Sequence, residues 1–331
     1  MTKTIAGAEL RIRTLASFTD RSLPPSDWDR LAGETAAAVF LSHGWQRLWW
    51  AASSERGPLA LALAERAGRP VALAPMYAAG GTLMLVGSGS ADYLDFPGRP
   101  GEDTLTALLA AARDAVPGFS EVKLYHLPAD SPTCALLPAV AARLDLELYT
   151  EEEVGAPYAD LGDPALLAAL TSRRKVRKEE ARMRRAGELD VRVARPEEAD
   201  ELVEVFIGQH GARWRAAGQE SFERPGSREL VRSVVADGLR EGWAVLTVLE
   251  WRGAPAALDI SLIHGATQLN WLVSRDPSID EFSSGSVLAA HVARNAAENG
   301  IRRLDFGLGE EEYKLRHASG VTKIANWFMY S

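Results

Sequence analysis

Cysteine is almost missing from this 331-residue chain. Cys134 stands alone, so no intrachain disulfide and no cysteine-built metal site can form, which suits a reducing compartment. Lying between Pro132 and Pro138 with no histidine beside it, it is expected to be an inert thiol. No H-E-x-x-H pair, Cys/His cluster, Walker loop or G-x-S-x-G elbow occurs, so metal-assisted hydrolysis, nucleotide hydrolysis and α/β-hydrolase chemistry lack support and no metal is expected. No apolar run approaches the roughly 18 residues of a membrane span. The first ten residues meet the charge of Lys3 before any apolar segment, which argues against a secretory signal and for a cytoplasmic location.

Positive charge is also short overall. A formal charge of −8 disfavours general binding to nucleic acid, which needs an excess of Lys and Arg. The exception is local: residues 172–185 hold eight basic residues against two acidic ones, a net of +6 that leaves about −14 for the rest. Apolar residues at 47% and charged residues at 25% are ordinary for a globular protein. At this length two domains are the better expectation than one.

Strand-like and helix-like runs alternate throughout, which predicts a mixed α/β fold. The organising observation is a self-match. Residues 65–73 and 250–258 share E-x-x-G-x-P-x-A-L at an offset of 185, which also aligns Gly80 with Gly265 and Thr82 with Thr267. In each copy the first glycine separates two apolar runs, 59–64 from 71–77 and 244–249 from 256–263, as in a β-hairpin. A further strand, a helix (104–115 and 284–299) and another strand (121–126 and 302–306) follow in both. The halves read as two copies of one β-meander fold, divided where Gly155, Pro157, Gly162 and Pro164 punctuate the chain: domain one over 1–155, domain two over 156–331.

The copies differ after the meander. The first continues into a long loop, 87–101, with Asp92 and Asp95 before its helix, where a phosphate would not be drawn. The second passes through Phe282 and Ser283-Ser284-Gly285-Ser286 directly into a helix. Gly and Ser let the backbone approach an anion, first-turn N–H groups lack partners, and the helix dipole favours negative charge. The same residues also make an ordinary helix cap.

Further features accumulate: His210-Gly-Ala-Arg213-Trp214, the meander, the Ser-Gly loop and helix, and Asp305-Phe-Gly-Leu-Gly309 followed by Glu312-Tyr313-Lys314, with Phe40-Leu-Ser-His-Gly-Trp45 and Trp49-Trp50 upstream. On these residues the chain resembles the branch of the GNAT superfamily that includes the CelD-like proteins and the Fem-type peptidyltransferases. The resemblance implies two tandem GNAT-like domains, each a mainly antiparallel meander with flanking helices. It implies a degenerate first domain on the acceptor side and an acyl donor, acetyl-CoA or another acyl-CoA, held by the second. Leu272 and Val273 would then supply backbone N–H groups to the acyl oxyanion, with Ser283, Ser284, Gly285 and Ser286 at the pyrophosphate. The loop carries fewer glycines than the usual phosphate loop of the family.

Candidate chemistry follows from side-chain type and strand alternation. Over 256–263, Leu258, Ile260 and Leu262 face one way, while Ala257, Asp259 and Ser261 face the other. Asp259, costly to bury unless paired or wetted, is the candidate general base. The resemblance makes Tyr313 the candidate acid for the departing thiolate and Lys314 a partner for a substrate phosphate or carboxylate. Glu311, within Glu310–Glu312, could orient a cationic amine or sit in a solvated turn. His210 is a further candidate base, with Arg213 and Trp214 orienting substrate. Trp45, Trp49 and Trp50, at helical spacing, are expected in the core.

The leading expectation is N-acyl, chiefly acetyl, transfer from acyl-CoA to a small amine or amino-sugar acceptor bound between the domains. Two alternatives stay open: aminoacyl transfer from a charged tRNA, with 172–185 as the RNA contact, and a non-catalytic GNAT-fold module in polysaccharide production. The sequence carries no signal for an oligomeric state.

Overall fold

The computed structural model describes residues 9–331 apart from 36–37, 54–56, 117, 217, 219–221 and 223–224. It contains two compact units, Met1–Val154 with Lys323–Ser331, and Gly155–Thr322.

In the first unit β1 (Leu10–Leu15) leads to α1 (Pro25–Ala32), α2 (Ala38–Leu41) and α3 (His43–Ala52). The meander β2 (Leu59–Arg66), β3 (Arg69–Ala79) and β4 (Thr82–Leu85) follows, then α4 (Glu102–Asp114), β5 (Glu121–Pro128), α5 (Pro132–Arg143) and β6 (Glu147–Thr150). The second unit runs β7 (Val154–Asp160), α6 (Pro164–Thr171), α7 (Arg174–Ala186), β8 (Leu189–Val193), α8 (Ala199–Ala216) and α9 (Ser227–Glu241). Its meander is β9 (Ala244–Trp251), β10 (Ala254–His264) and β11 (Thr267–Arg275), followed by α10 (Ser284–Glu298), β12 (Arg303–Asp305) and α11 (Glu312–Leu315). The chain ends in β13 (Gly320–Tyr330).

The expected repeat is present down to its irregularities. Each meander is antiparallel, and each closes with one parallel pair, β4 with β5 and β11 with β12. The first hairpin turns on two residues with positive φ, Ala67 and Gly68 in one copy, Arg252 and Gly253 in the other. That geometry matches the twist of the flanking strands and favours glycine at its second position. A bulge follows at equivalent sites: Val71 is the extra residue where Ala64 pairs Ala72 and Glu65 pairs Pro70, and Ala256 where Glu250 pairs Pro255 and Leu249 pairs Ala257.

The end of the chain differs from the division expected from sequence. Residues 323–331, assigned there to domain two, belong to the first unit. β13 pairs antiparallel with β5 and β6, and the Asn326 side chain accepts from the His126 N–H and donates to Glu151. A strand with alternating burial reads the same in either half; only its hydrogen-bond partners decide where it belongs.

Alternation along β9 and β10 gives the second unit two apolar layers. Leu246, Val248, Leu258 and Ile260 pack with Phe206 and Val203 of α8 and Val231 and Val235 of α9. On the opposite face Leu249 and Ala257 join Val287, Leu288 and Val292 of α10 and Met183 of α7. In the first unit Trp45 and Trp49 are buried, as expected, with Trp45 edge-on to Phe40, whereas Trp50 is only half-buried. Among the described residues no helix is long and apolar enough to cross a membrane.

A Cβ added at Gly68 or Gly253 would meet nothing within 4 Å, so only the left-handed backbone opposes substitution. Gly68→Ala and Gly253→Ala should therefore each cost about 1 kcal/mol, measured as equal shifts in chemical-denaturation stability.

Candidate active site in the second unit

The site begins where one strand outlasts its neighbour. β11 pairs with β12 only from Thr267 to Leu269, yet it continues to Arg275 beside β10. From Asn270 onward, its edge away from β10 has no strand partner among the described residues. A bulge falls at the parting point: Ile260 pairs Leu272 and Ser261 pairs Asn270, leaving Trp271 as the extra residue. Bulges of this kind re-aim backbone groups and end pairing. Leu272 and Val273 lie immediately beyond it.

The strand leads through a turn at Pro277–Ile279 to the N-terminus of α10. Ser283, at the cap, makes no side-chain cap bond, and Ser286 and Val287 donate their amides to its carbonyl. The Ser284 and Gly285 amides have no protein acceptor among the described residues, and a Cβ at Gly285 would enter open space. This is the helix-start geometry that suits a phosphate. Arg182 of α7 holds the preceding loop: its guanidinium lies 4.5 Å from the Phe282 ring centroid and donates to the Glu281 carbonyl at 2.8 Å. The Ser-Gly loop points to none of this, because Arg182 lies about a hundred residues away.

Asp259 is 2% exposed and faces the α10 side of the sheet. Ser261 Oγ and Asn270 Nδ2 donate to its two oxygens, the latter at 2.7 Å. Burial pushes its carboxyl up to about 6, against the opposing pull of these two bonds. Its cross-strand neighbour Thr247 carries a buried hydroxyl without a protein partner among the described residues. Asn270, at the first position past the β12 pairing, thus joins the aspartate to the unpaired strand edge. Asn270 and Ser261 were not candidates from sequence; the signal was their polarity in an otherwise apolar strand pair.

His210 lies on the other side of the sheet, because α8 packs against the Leu258 and Ile260 face. Its ring stacks on Phe206 at 5.6 Å and lies 4.8 Å from Phe222. Burial, then the charge of Arg213, lowers its pKa to about 4, so it is a neutral and weak base near pH 7. Its Nε2 accepts the Trp214 indole N–H at 3.1 Å. Asp259 and His210 therefore do not form a pair.

The loop after β12 is tied internally. Lys314 is buried, donating to the Leu308 carbonyl at 2.6 Å and pairing with Glu311 at 3.0 Å. Glu312 pairs with Arg316. Tyr313 projects outward, 61% exposed; desolvation and then the Glu311 charge raise its phenol, with Arg213 opposing. Asp305 is buried, accepting from Arg303 at 3.0 Å and from the Gly307 amide at 2.9 Å. Cys134 is buried in the first unit, its thiol pushed up to about 11 by burial, consistent with an inert sulfur.

The equivalent place in the first unit is closed by its own chain. β4 stops at Leu85, the counterpart of Asn270 at the offset of 185, and the chain turns away through Gly87 at φ 107°. The loop then returns: Leu94 donates its amide to the His126 carbonyl at 2.9 Å, and His126 Nδ1 lies 2.6 Å from the Ala91 carbonyl oxygen. Asp95, which reads in sequence as a charge repelling phosphate, is buried and bound by Ser131 and Thr133, each at 2.6 Å.

Residues 171–315 match a family model described as an acetyltransferase (GNAT) domain. No curated protein matches the sequence. Among solved structures the fold is similar to FemX, at TM-score 0.64 and 12% identity, covering 93% of this chain and 96% of that one. A conserved protein of unknown function from Bacteroides thetaiotaomicron gives TM-score 0.64 at 12% identity, with 97% and 100% covered. The C-terminal domain of a putative lysylphosphatidylglycerol synthetase from Agrobacterium fabrum gives TM-score 0.59 at 14% identity, with 92% and 90% covered.

The Asp259 environment has a measurable signature. A carboxyl raised from 3.8 to about 6 in the fold contributes stability below its unfolded pKa and loses it as pH rises through the folded value. The ionised group thus costs about 3 kcal/mol above pH 7. The melting temperature of Asp259→Asn should therefore improve relative to wild type between pH 4 and pH 7, then level off. A difference independent of pH would show that the carboxyl does not ionise in this interval.

Proposed function

We propose, from the match of residues 171–315 to an acetyltransferase (GNAT) domain model, that the second unit is a GNAT-type N-acyltransferase using acetyl-CoA or a related thioester. The observation that carries this reading is the conjunction of two features on one strand-helix unit. A bulged strand edge with no strand partner among the described residues runs from Asn270 to Arg275, and α10 begins a few residues later with Ser284 and Gly285 amides that have no protein acceptor among the described residues. Such an edge offers backbone donors to a carbonyl, and such a helix start offers them to a pyrophosphate. The thioester, when bound, supplies an acyl carbon activated toward an amine.

The roles of the chain's own groups follow. Backbone N–H groups near Leu272 and Val273 stabilise the oxygen that becomes negative as the amine attacks the carbonyl carbon. Asp259, largely ionised at neutral pH, accepts the proton lost as the C–N bond forms, with Asn270 linking it to the strand edge. Tyr313, kept protonated by its raised pKa, donates to the sulfur as the C–S bond breaks. Lys314 and Glu311 hold the loop that presents Tyr313. The first unit, where β4 ends at Leu85 and residues 91–94 bond to His126 of β5 instead, binds no donor.

A second reading is favoured by one observation. Arg174, Lys175, Arg177, Lys178 and Arg185 of α7 are exposed and unpaired among the described residues, with Arg174, Lys178 and Arg185 opposite buried Val176 and Met183 and the other two on the flanks. A cationic stripe of this kind suits aminoacyl transfer from a charged tRNA. Reversing Arg174, Lys175 and Lys178 to Glu should then abolish a steep salt dependence of RNA binding; binding insensitive to salt and to the reversal would remove this reading.

For the donor site, Gly285→Asp is decisive. The position has room for the side chain, and a carboxylate in the first turn stabilises a helix by about 0.3–1 kcal/mol. The variant should melt at or above the wild-type temperature yet bind acetyl-CoA at least tenfold more weakly by calorimetry. Undiminished binding would place the pyrophosphate elsewhere.

A further inference from the structure

The last turn of α8 carries a set of groups that the donor chemistry leaves unused. Trp214 is 38% exposed, while Leu202, Val203, Phe206 and Ile207 of the same helix are packed. Its N–H is spent on His210 Nε2, and the imidazole is clamped between Phe206 and Phe222. In this arrangement the neutral ring carries its proton on Nδ1 and offers its lone pair to the indole. His210 thus acts as a positioning residue that fixes the plane of an exposed aromatic face.

Arg213, the preceding residue, is exposed and donates to no group among the described residues. Its positive charge adds to the lowering of the His210 pKa and opposes the rise at the Tyr313 phenol. Among the described residues of the Tyr313 loop, Glu311 is paired with Lys314 and Glu312 with Arg316. The surface therefore presents a free planar cation beside a fixed indole face and an exposed phenol. A cationic amine would find no free acid among these groups, whereas a carboxylate would find the forked donor it pairs with most strongly.

We propose that this surface is an acceptor subsite for amino acids. Arg213 binds the free carboxylate, and Trp214, held by His210, stacks against the apolar body of the acceptor. The assignment rests on the acyltransferase reading for the identity of the reacting amine, but its carboxylate preference can be measured without turnover.

The test uses the full chain, with the twenty amino acids and their C-terminal amides as probes. Direct binding is measured by calorimetry, and turnover by thiol release from acetyl-CoA. The expected result is at least tenfold tighter binding of one or more free acids than of the matching amides. Arg213→Gln should erase that difference while acetyl-CoA affinity stays within twofold. His210→Phe, which removes the bond to the indole, should raise KM for the acid with kcat little changed. Equal binding of acid and amide, no binding of any amino acid, or a preference that survives Arg213→Gln would overturn the subsite. Loss of acetyl-CoA binding with the carboxylate preference intact would instead overturn the donor reading and leave the subsite standing.

Discussion

A strand whose partner ends before it does must place its unpaired amides somewhere. Buried backbone donors without acceptors are costly, so the six residues of β11 beyond Leu269 commit this part of the fold to water or to a ligand. The organisation of the second unit follows from that commitment. The bulge at Trp271 lets the strand bend away while keeping its pairing with β10. The short connection after Arg275 then delivers the chain to the start of α10, and α10 packs on the same face that holds Asp259.

Charge is distributed to serve this geometry. Two ties matter: Arg182 with Glu281 and Phe282, distant in sequence, and Arg303 with Asp305 within one short strand. Each fixes one side of the parting strands. Exposed ion pairs add little stability, but Asp305 is buried, and removing its partner would leave a desolvated charge. Their effect is to hold loop geometry, which is what a preorganised backbone site needs.

The duplication was legible because turn chemistry is written in side chains. The E-x-x-G-x-P pattern reports the two-residue turn at 67–68 and 252–253, and alternation placed Asp259 away from Leu258 and Ile260. The bulge at Trp271 left no such mark, since register depends on backbone pairing rather than residue type. Glu310–Glu312 looked like a free acidic run because a sequence displays charges without their partners; Lys314 and Arg316 engage two of them. Lys314 itself looked available to substrate, yet its burial against the Leu308 carbonyl comes from a loop closing on itself.

The contact between Leu94 and His126 in the first unit has a consequence for how the two halves could have diverged. A peptide segment tethered to the cleft it fills is present at a fixed, high effective concentration, so that cleft is saturated whatever metabolites surround the protein. The half that carries its own filler keeps a constant stability. A ligand held at the open edge of its sister would stabilise that half by an amount that grows with the logarithm of ligand concentration, so that its persistence in a cell would track supply.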